Sequence, residues 1–355
     1  MSADARLGSP ISVQPIFDGH NDALTRDDHA RIADRLPDGH LDLPRMRDGG
    51  VRGGIFSVFT SSEDGGHDEQ VPRDDGVIEF VYASPVAHET AAADAMATAA
   101  RLMSLEREGQ ARVARRIEDL DAARWDGGPP LAVLHLEGAE AIDPQLESLD
   151  AWHAMGLRSL GPVWSRANAF GHGVPFVFPS SPDIGPGLTD PGRTLARRCA
   201  DLGILFDVSH LNEAGFWDFA GLELGPIVAT HSAAHALCAA SRNLTDAQLD
   251  AIGSSGGLVG IVFATSFLRP DFAEDEDTPL ELIVEHAQYV ADRIGVAHVA
   301  FGSDFDGAVI PAPIGGVAGM PKLLDALRGA GFTGDELDAI AWGNWRRVLA
   351  AWWGD

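Results

Sequence analysis

Eight short apolar runs recur along this chain, and the segments between most of them read as helices. The runs lie at about 13–20, 53–59, 131–137, 157–164, 204–210, 226–231, 257–263 and 298–304. Several, such as Ile204-Leu205-Phe206 and Leu258-Val259-Gly260-Ile261-Val262-Phe263, are continuous rather than alternating. A strand with one wet face alternates apolar and polar residues, whereas a strand covered on both faces does not, so continuous runs suit a parallel sheet packed between helices. Eight such strands in strand-then-helix rhythm predict an α/β fold, a (β/α)8 TIM barrel rather than an open sheet. The 355 residues can form one unit, 1–355, since neither an internal repeat nor a low-complexity linker divides them.

Local signals place the helices. Ser84 followed by Pro85 predicts the cap and first turn of a long Ala-rich helix from 84 to 116. Asp190-Pro191 predicts another start, with Asp190 as cap. Thr245-x-x-Gln248 and Thr333-x-x-Glu336 are capping boxes, and 279–294 and 335–352 are amphipathic. Three longer connections remain, 24–50, 61–78 and 165–188. The loops after barrel strands wall the active site, so the Gly-, Pro- and Phe-rich stretch 165–188 is expected to be a substrate wall or lid.

The polar residues at the ends of the runs define a candidate site. The first run ends in Phe17-Asp18-Gly19-His20-Asn21-Asp22, where alternation aims His20 and Asp22 at one spot. The third ends in His135-Leu136-Glu137-Gly138, the fifth in Asp207-Val208-Ser209-His210, the sixth in Thr230-His231-Ser232 and the eighth in Ser303-Asp304-Phe305-Asp306-Gly307. One His or Asp past a strand is ordinarily a turn residue. Five such ends at one rim point instead to a shared site. Three imidazoles and two carboxylates can hold two divalent ions about 3.5–4 Å apart, with Glu137 between them. Water held there loses its proton near neutral pH, and Asp304 would orient it and carry the proton to a leaving amine. Zinc suits this nitrogen and oxygen set better than calcium or magnesium, while manganese and cobalt stay open. His135 is expected in barrel packing or in contact with a ligand rather than on the metal.

Charge narrows the partners. A net charge of −27 argues against nucleic acid and against anionic membrane surfaces. No run of 18 apolar residues suggests a membrane span, and Met1 to Pro10 lacks the pattern of a signal peptide. Cys199 and Cys238 read as buried thiols, which fits a reducing cytoplasm.

The motifs, in their order and spacing, resemble the membrane (renal) dipeptidase family, the M19 metallopeptidases. The matching stretches are Phe17 to Asp22, Glu137-Gly138, Gly187-Leu188-Thr189, Asp207 to His210, His231-Ser232, Ser241-Arg242-Asn243-Leu244 and Asp304-Phe305-Asp306-Gly307. The resemblance implies a binuclear zinc barrel that cleaves dipeptides. His20 and Asp22 would hold one zinc and His210 and His231 the other. Glu137 would bridge, Asp304 would serve as acid and base, and Arg242 would pair with the substrate carboxylate, a task suited to a bidentate guanidinium. It also implies tolerance of a C-terminal D-residue, action on β-lactams in some members, and a homodimer. One position departs. Family members carry a substrate-binding histidine at the end of the fourth strand, and a register set by Arg158 and Asn168 puts Trp164 there, with Asn168 beside the substrate. Indole N–H donates a hydrogen bond but never becomes cationic, which bears on substrate range. His172 is the candidate stand-in, although a surface role suits it better. Two other readings are a metal-dependent hydrolase of another carboxylated amide or lactam, and a non-catalytic ligand-binding barrel.

Overall fold

The eight runs become eight parallel strands in a computed structural model that describes residues 14–62, 70–80, 82–125 and 127–354. The leader reading on Met1 to Pro10 lies outside the described residues. Strands β1 (Ile16–Asn21), β2 (Val51–Phe59), β6 (Leu131–Glu137), β7 (Leu157–Gly161) and β9 (Leu205–Phe206) pair in that order, and β10 (Val228–Ser232), β11 (Leu258–Ile261) and β12 (Val299–Phe301) form a second run. Two seams join them. Asp207 pairs with Val228, and Asn21 pairs with Phe305, both in parallel sense. Backbone bonds from Val208 to Val228 (2.9 Å) and from Asp22 to Phe305 (2.8 Å) close the ring. A short β5 (Arg112–Val113) adds to the start of β6.

The strands are buried along nearly their whole length, as their continuous apolar runs require. Four end earlier than expected: β11 at Ile261, β12 at Phe301, and β7 and β9 for reasons visible in their backbone bonds. β7 stops at Gly161 because Pro162 has no N–H to donate. β9 stops at Phe206 as Asp207 turns its carboxylate to the N–H groups of Ser209 and Thr230.

The helices confirm both capping boxes, at Thr245 and at Thr333. Two expected starts are corrected. The Ala-rich helix is His88–Arg107, with no side-chain cap, because residues 82–84 are tied to the rim. Tyr82 donates to the Gly173 carbonyl, and Ser62 donates to that of Ser84. It ends before Gly109, which takes φ +71°, and the chain then enters β5 rather than running helically to 116. The helix Asp190–Leu202 is capped by Thr189, whose hydroxyl accepts from Gly192, so Asp190 occupies the first turn. The expected 335–352 helix is α-helical at Gly334–Asp338, π-helical at Ala339–Gly343 and α-helical again at Asn344–Trp353. That bulge brings two indoles to the barrel. Trp342 meets Phe17 edge-on, and Trp345 donates to the Phe301 carbonyl at 2.9 Å. Gly19 admits Trp345: a Cβ there would lie 2.2 Å from the indole.

Outside the barrel, β3 (Gln70–Pro72), β4 (Ile78–Phe80) and β8 (Val177–Phe178) make a small antiparallel sheet from the expected loops 61–78 and 165–188. Phe80 packs there with Phe272 and Phe267 in a second apolar cluster. Both cysteines are free and buried. Among the described residues, no helix is long and apolar enough to cross a membrane.

Candidate active site

Barrel closure brings six of the expected side chains to one point on the C-terminal rim. Glu137 ends β6 and stands among three imidazoles. Its Oε1 lies 3.0 Å from His210 Nε2 and 3.6 Å from His231 Nε2, and its Oε2 lies 3.4 Å from His20 Nε2. Asp22 Oδ2 lies 3.5 Å from His20 Nε2. Three overlapping groups offer ligand atoms within 4.8 Å of one another: His20, Asp22 and Glu137; Glu137, His210 and His231; and His20, His231 and Asp304.

The surroundings aim these groups. Thr230 Oγ1 donates to Asp207 Oδ2 at 2.6 Å and lies 2.9 Å from His231 Nδ1. With its proton committed to Asp207, the hydroxyl accepts from Nδ1–H, which leaves a lone pair on His231 Nε2. That nitrogen faces His210 Nε2 at 3.1 Å, while Ser165 Oγ, at 2.9 Å, holds the other side of the His210 ring. Ser57 donates to Glu137 Oε2 at 2.9 Å. Ser57, Ser165 and Thr230 were missed in sequence; Ser57 carries a faint signal as the lone polar side chain in an apolar run.

The electrostatics call for positive charge. Burial works against Glu137's charged form, yet His20 and His210 hold it well below the usual carboxylate range. Asp304 is pushed up to about 8 by burial, with His20 opposing and the Asp22 and Glu137 carboxylates reinforcing the rise. Burial, aided by Arg242, presses His210 down to about 4. Burial also presses His231 well below its ordinary value, aided by His20 and Arg242. Both nitrogens of His20 are buried without a hydrogen-bond partner. An orphan ring nitrogen facing carboxylates is costly unless a cation answers it, so the donor set fits divalent metal.

A cavity of about 540 Å³ opens above this cluster, lined by Glu137, His210, His231, Asp22, Asp304 and Trp164 among others. Arg242 is buried against His231 and Phe267, two residues of the lining, and donates to Ser232 Oγ and to the His231 carbonyl at 2.7 Å each. Its Nε has no partner, and burial pushes its pKa down to about 10. Asn168 is not brought to this cavity. Its amide bonds Pro162, Phe170 and Gly171 within its own turn and borders a separate cavity of about 330 Å³. His172 stacks on Tyr82 at 5.6 Å. His135 is buried below the cluster, its Nδ1 2.8 Å from Ser159 Oγ.

A family model for membrane dipeptidases, peptidase family M19, matches residues 10–352. The chain belongs to that family. A solved M19 metallopeptidase, dipeptidase AC, is 43% identical with a TM-score of 0.89, covering 97% of this chain and 100% of its own. A metallopeptidase from Rhodobacter sphaeroides, solved with a phosphinate mimic of the dipeptide L-Ala-D-Ala, is 42% identical with a TM-score of 0.90, covering 96% and 100%. A protein from the pqqA 5' region of Klebsiella pneumoniae is 48% identical over 245 residues, 69% of this chain and 90% of its own length. This M19 chain is thus a metallo-dipeptidase on a barrel whose polar rim carries buried histidine and carboxylate ligand groups.

Proposed function

We propose that this M19 metallo-dipeptidase cleaves dipeptides at a pair of zinc ions, His20 and Asp22 holding one, His210 and His231 the other, and Glu137 shared. The observation that carries the reading is the position of Glu137, which belongs to two of the three ligand groups and touches all three imidazoles. When bound, such ions supply Lewis acidity at the scissile carbonyl and an acidified water.

The chain's own residues do the rest. Asp304 faces His20 and His231, where it can take a proton and return it to the departing amine. Arg242 holds two of its nitrogens on Ser232 and His231 and keeps Nε for the substrate's terminal carboxylate. Trp164 contributes cavity wall where the family carries a histidine. The dipeptide mimic held by the Rhodobacter sphaeroides relative supports acceptance of a C-terminal D-residue. The same proposal treats 1–355 as one barrel domain, as a homodimer from the family resemblance, and as cytoplasmic from its two free, buried thiols.

Metal analysis joined to a dipeptide panel of L,L and L,D pairs tests this. Chelation should abolish hydrolysis, and two zinc equivalents per chain should restore it. Glu137→Gln should lose more than the roughly 10–100-fold that changes around a ligand cost. Full hydrolysis by metal-free protein would sink the reading.

A further inference from the structure

The cavity has two unlike halves. The turns just past β1 and β12 supply Asp22, Asp304 and Asp306 to its lining, whereas the end of β2 and the connection after β7 supply Phe59, Trp164 and Phe176. The rings form an unbroken wall. Phe59 and Trp164 have centroids 5.1 Å apart, Trp164 and Phe176 5.7 Å, and Phe176 and Phe267 5.3 Å. The wall runs past the ligand cluster, with His210 lying 5.8 Å from Trp164 and 6.1 Å from Phe176. At its far end, Arg242 Cζ sits 5.8 Å from the Phe267 ring.

This wall is braced from behind. Arg166 is fully buried, its guanidinium 5.3 Å from the Phe59 ring and 5.6 Å from Trp164. It donates to Glu140 at 2.7 Å and to Ser62 at 3.1 Å. A cation stacked on both rings and anchored by a buried carboxylate keeps the wall in place before substrate arrives, so binding apolar groups there costs little ordering.

Ring order around the barrel gives the orientation of the substrate. Phe267 follows β11 and Arg242 follows β10, whereas Phe59 ends β2 and Trp164 follows β7, across the mouth. A dipeptide with its carboxylate on Arg242 and its scissile carbonyl at Glu137 extends its first residue toward Phe59 and Trp164. We infer that the enzyme selects dipeptides whose N-terminal residue carries a bulky apolar side chain, and that Trp164 is the main determinant of that choice. Acidic side chains are disfavoured, since the other half of the cavity is already carboxylate-rich. This inference rests on the dipeptidase reading and on its use of Arg242. An aromatic wall rewards each added methylene, whereas a histidine would favour a polar or anionic group.

The test measures kcat/KM of the zinc-loaded enzyme for L-Leu-L-Ala, L-Ala-L-Ala, L-Asp-L-Ala and L-Ala-L-Leu. Leu-Ala should exceed Ala-Ala by about tenfold or more, and Asp-Ala should fall below both. In Trp164→Ala the Leu-Ala to Ala-Ala ratio should collapse toward one while the Ala-Leu to Ala-Ala ratio is kept. Trp164→Phe should retain most of the first ratio and guards against a misfolded alanine variant. Equal rates for Leu-Ala and Ala-Ala in the wild type, or a ratio untouched by Trp164→Ala, would overturn the inference and leave the dipeptidase reading intact. No hydrolysis of any of the four peptides, nor of L-Leu-D-Ala and L-Ala-D-Ala, would instead overturn the dipeptidase reading, and the inference with it.

Discussion

Gly307 stands between two of the carboxylates on the rim. A Cβ at this position would lie 2.3 Å from Asp22 Oδ2 and 2.5 Å from Asp304 Oδ1. Gly307→Ala must therefore drive the two apart, while the strands beneath keep their packing. A displacement of about 1 Å at a reacting centre can cost about a hundredfold in rate. Steady-state assays of Gly307→Ala should show a fall of about that size in kcat/KM, with the thermal midpoint shifted by only a few degrees. An unchanged kcat/KM would mean that the two carboxylates do not act together. The glycine was legible in sequence as part of Asp304-Phe305-Asp306-Gly307, but its reason was not. The clash involves Asp22, which lies nearly the whole chain away and reaches Gly307 only because the first and last strands close the ring.

Elements differ in how far local sequence decides them. The helix Asp246–Ser254 begins at a box in which Thr245 N–H donates to Gln248 Oε1 at 2.8 Å while the threonine hydroxyl accepts in return. Thr245→Ala should cost about 1 kcal/mol of stability, read as a lower urea midpoint at an unchanged slope. Thr245→Ser should recover most of it. Both boxes were readable because donor and acceptor sit three residues apart. Ser84 carries a similar cue and caps nothing, since the chain around it is held to the rim by Tyr82 and Ser62. The sheet of β3, β4 and β8 left no pattern to read. Each strand has two or three residues, and β8 reaches β4 from a different loop.

Whole-molecule stability couples to pH through groups that no single element explains. His286, on the helix Glu281–Ile294, accepts from the Ala234 N–H at 3.0 Å and lies 3.1 Å from the Leu268 carbonyl, joining the loops after β10 and β11. Burial pushes its ring down to about 4. The unfolded chain therefore takes up the proton first as pH falls. The stability contribution is whole above about 6.5 and drains away as pH drops toward 4. Urea unfolding at pH 7.5 and pH 5 should show wild type losing about 2 kcal/mol more than His286→Gln over that interval. Equal losses would mean that this ring titrates normally.

Alternation of apolar runs with helical segments, and a histidine or carboxylate closing one run after another, were determined by residues adjacent in the chain. Those features suffice for the barrel and for the chemical character of its rim, because strand periodicity and backbone pairing are local rules. The tertiary structure alone decided that Thr230 and Asp207 orient His231, that Asn168 turns into its own loop, and that Trp164 meets Phe59 in front of Arg166. Such contacts join side chains from separate loops, so they exist only once the closed sheet has set the distances between strand ends.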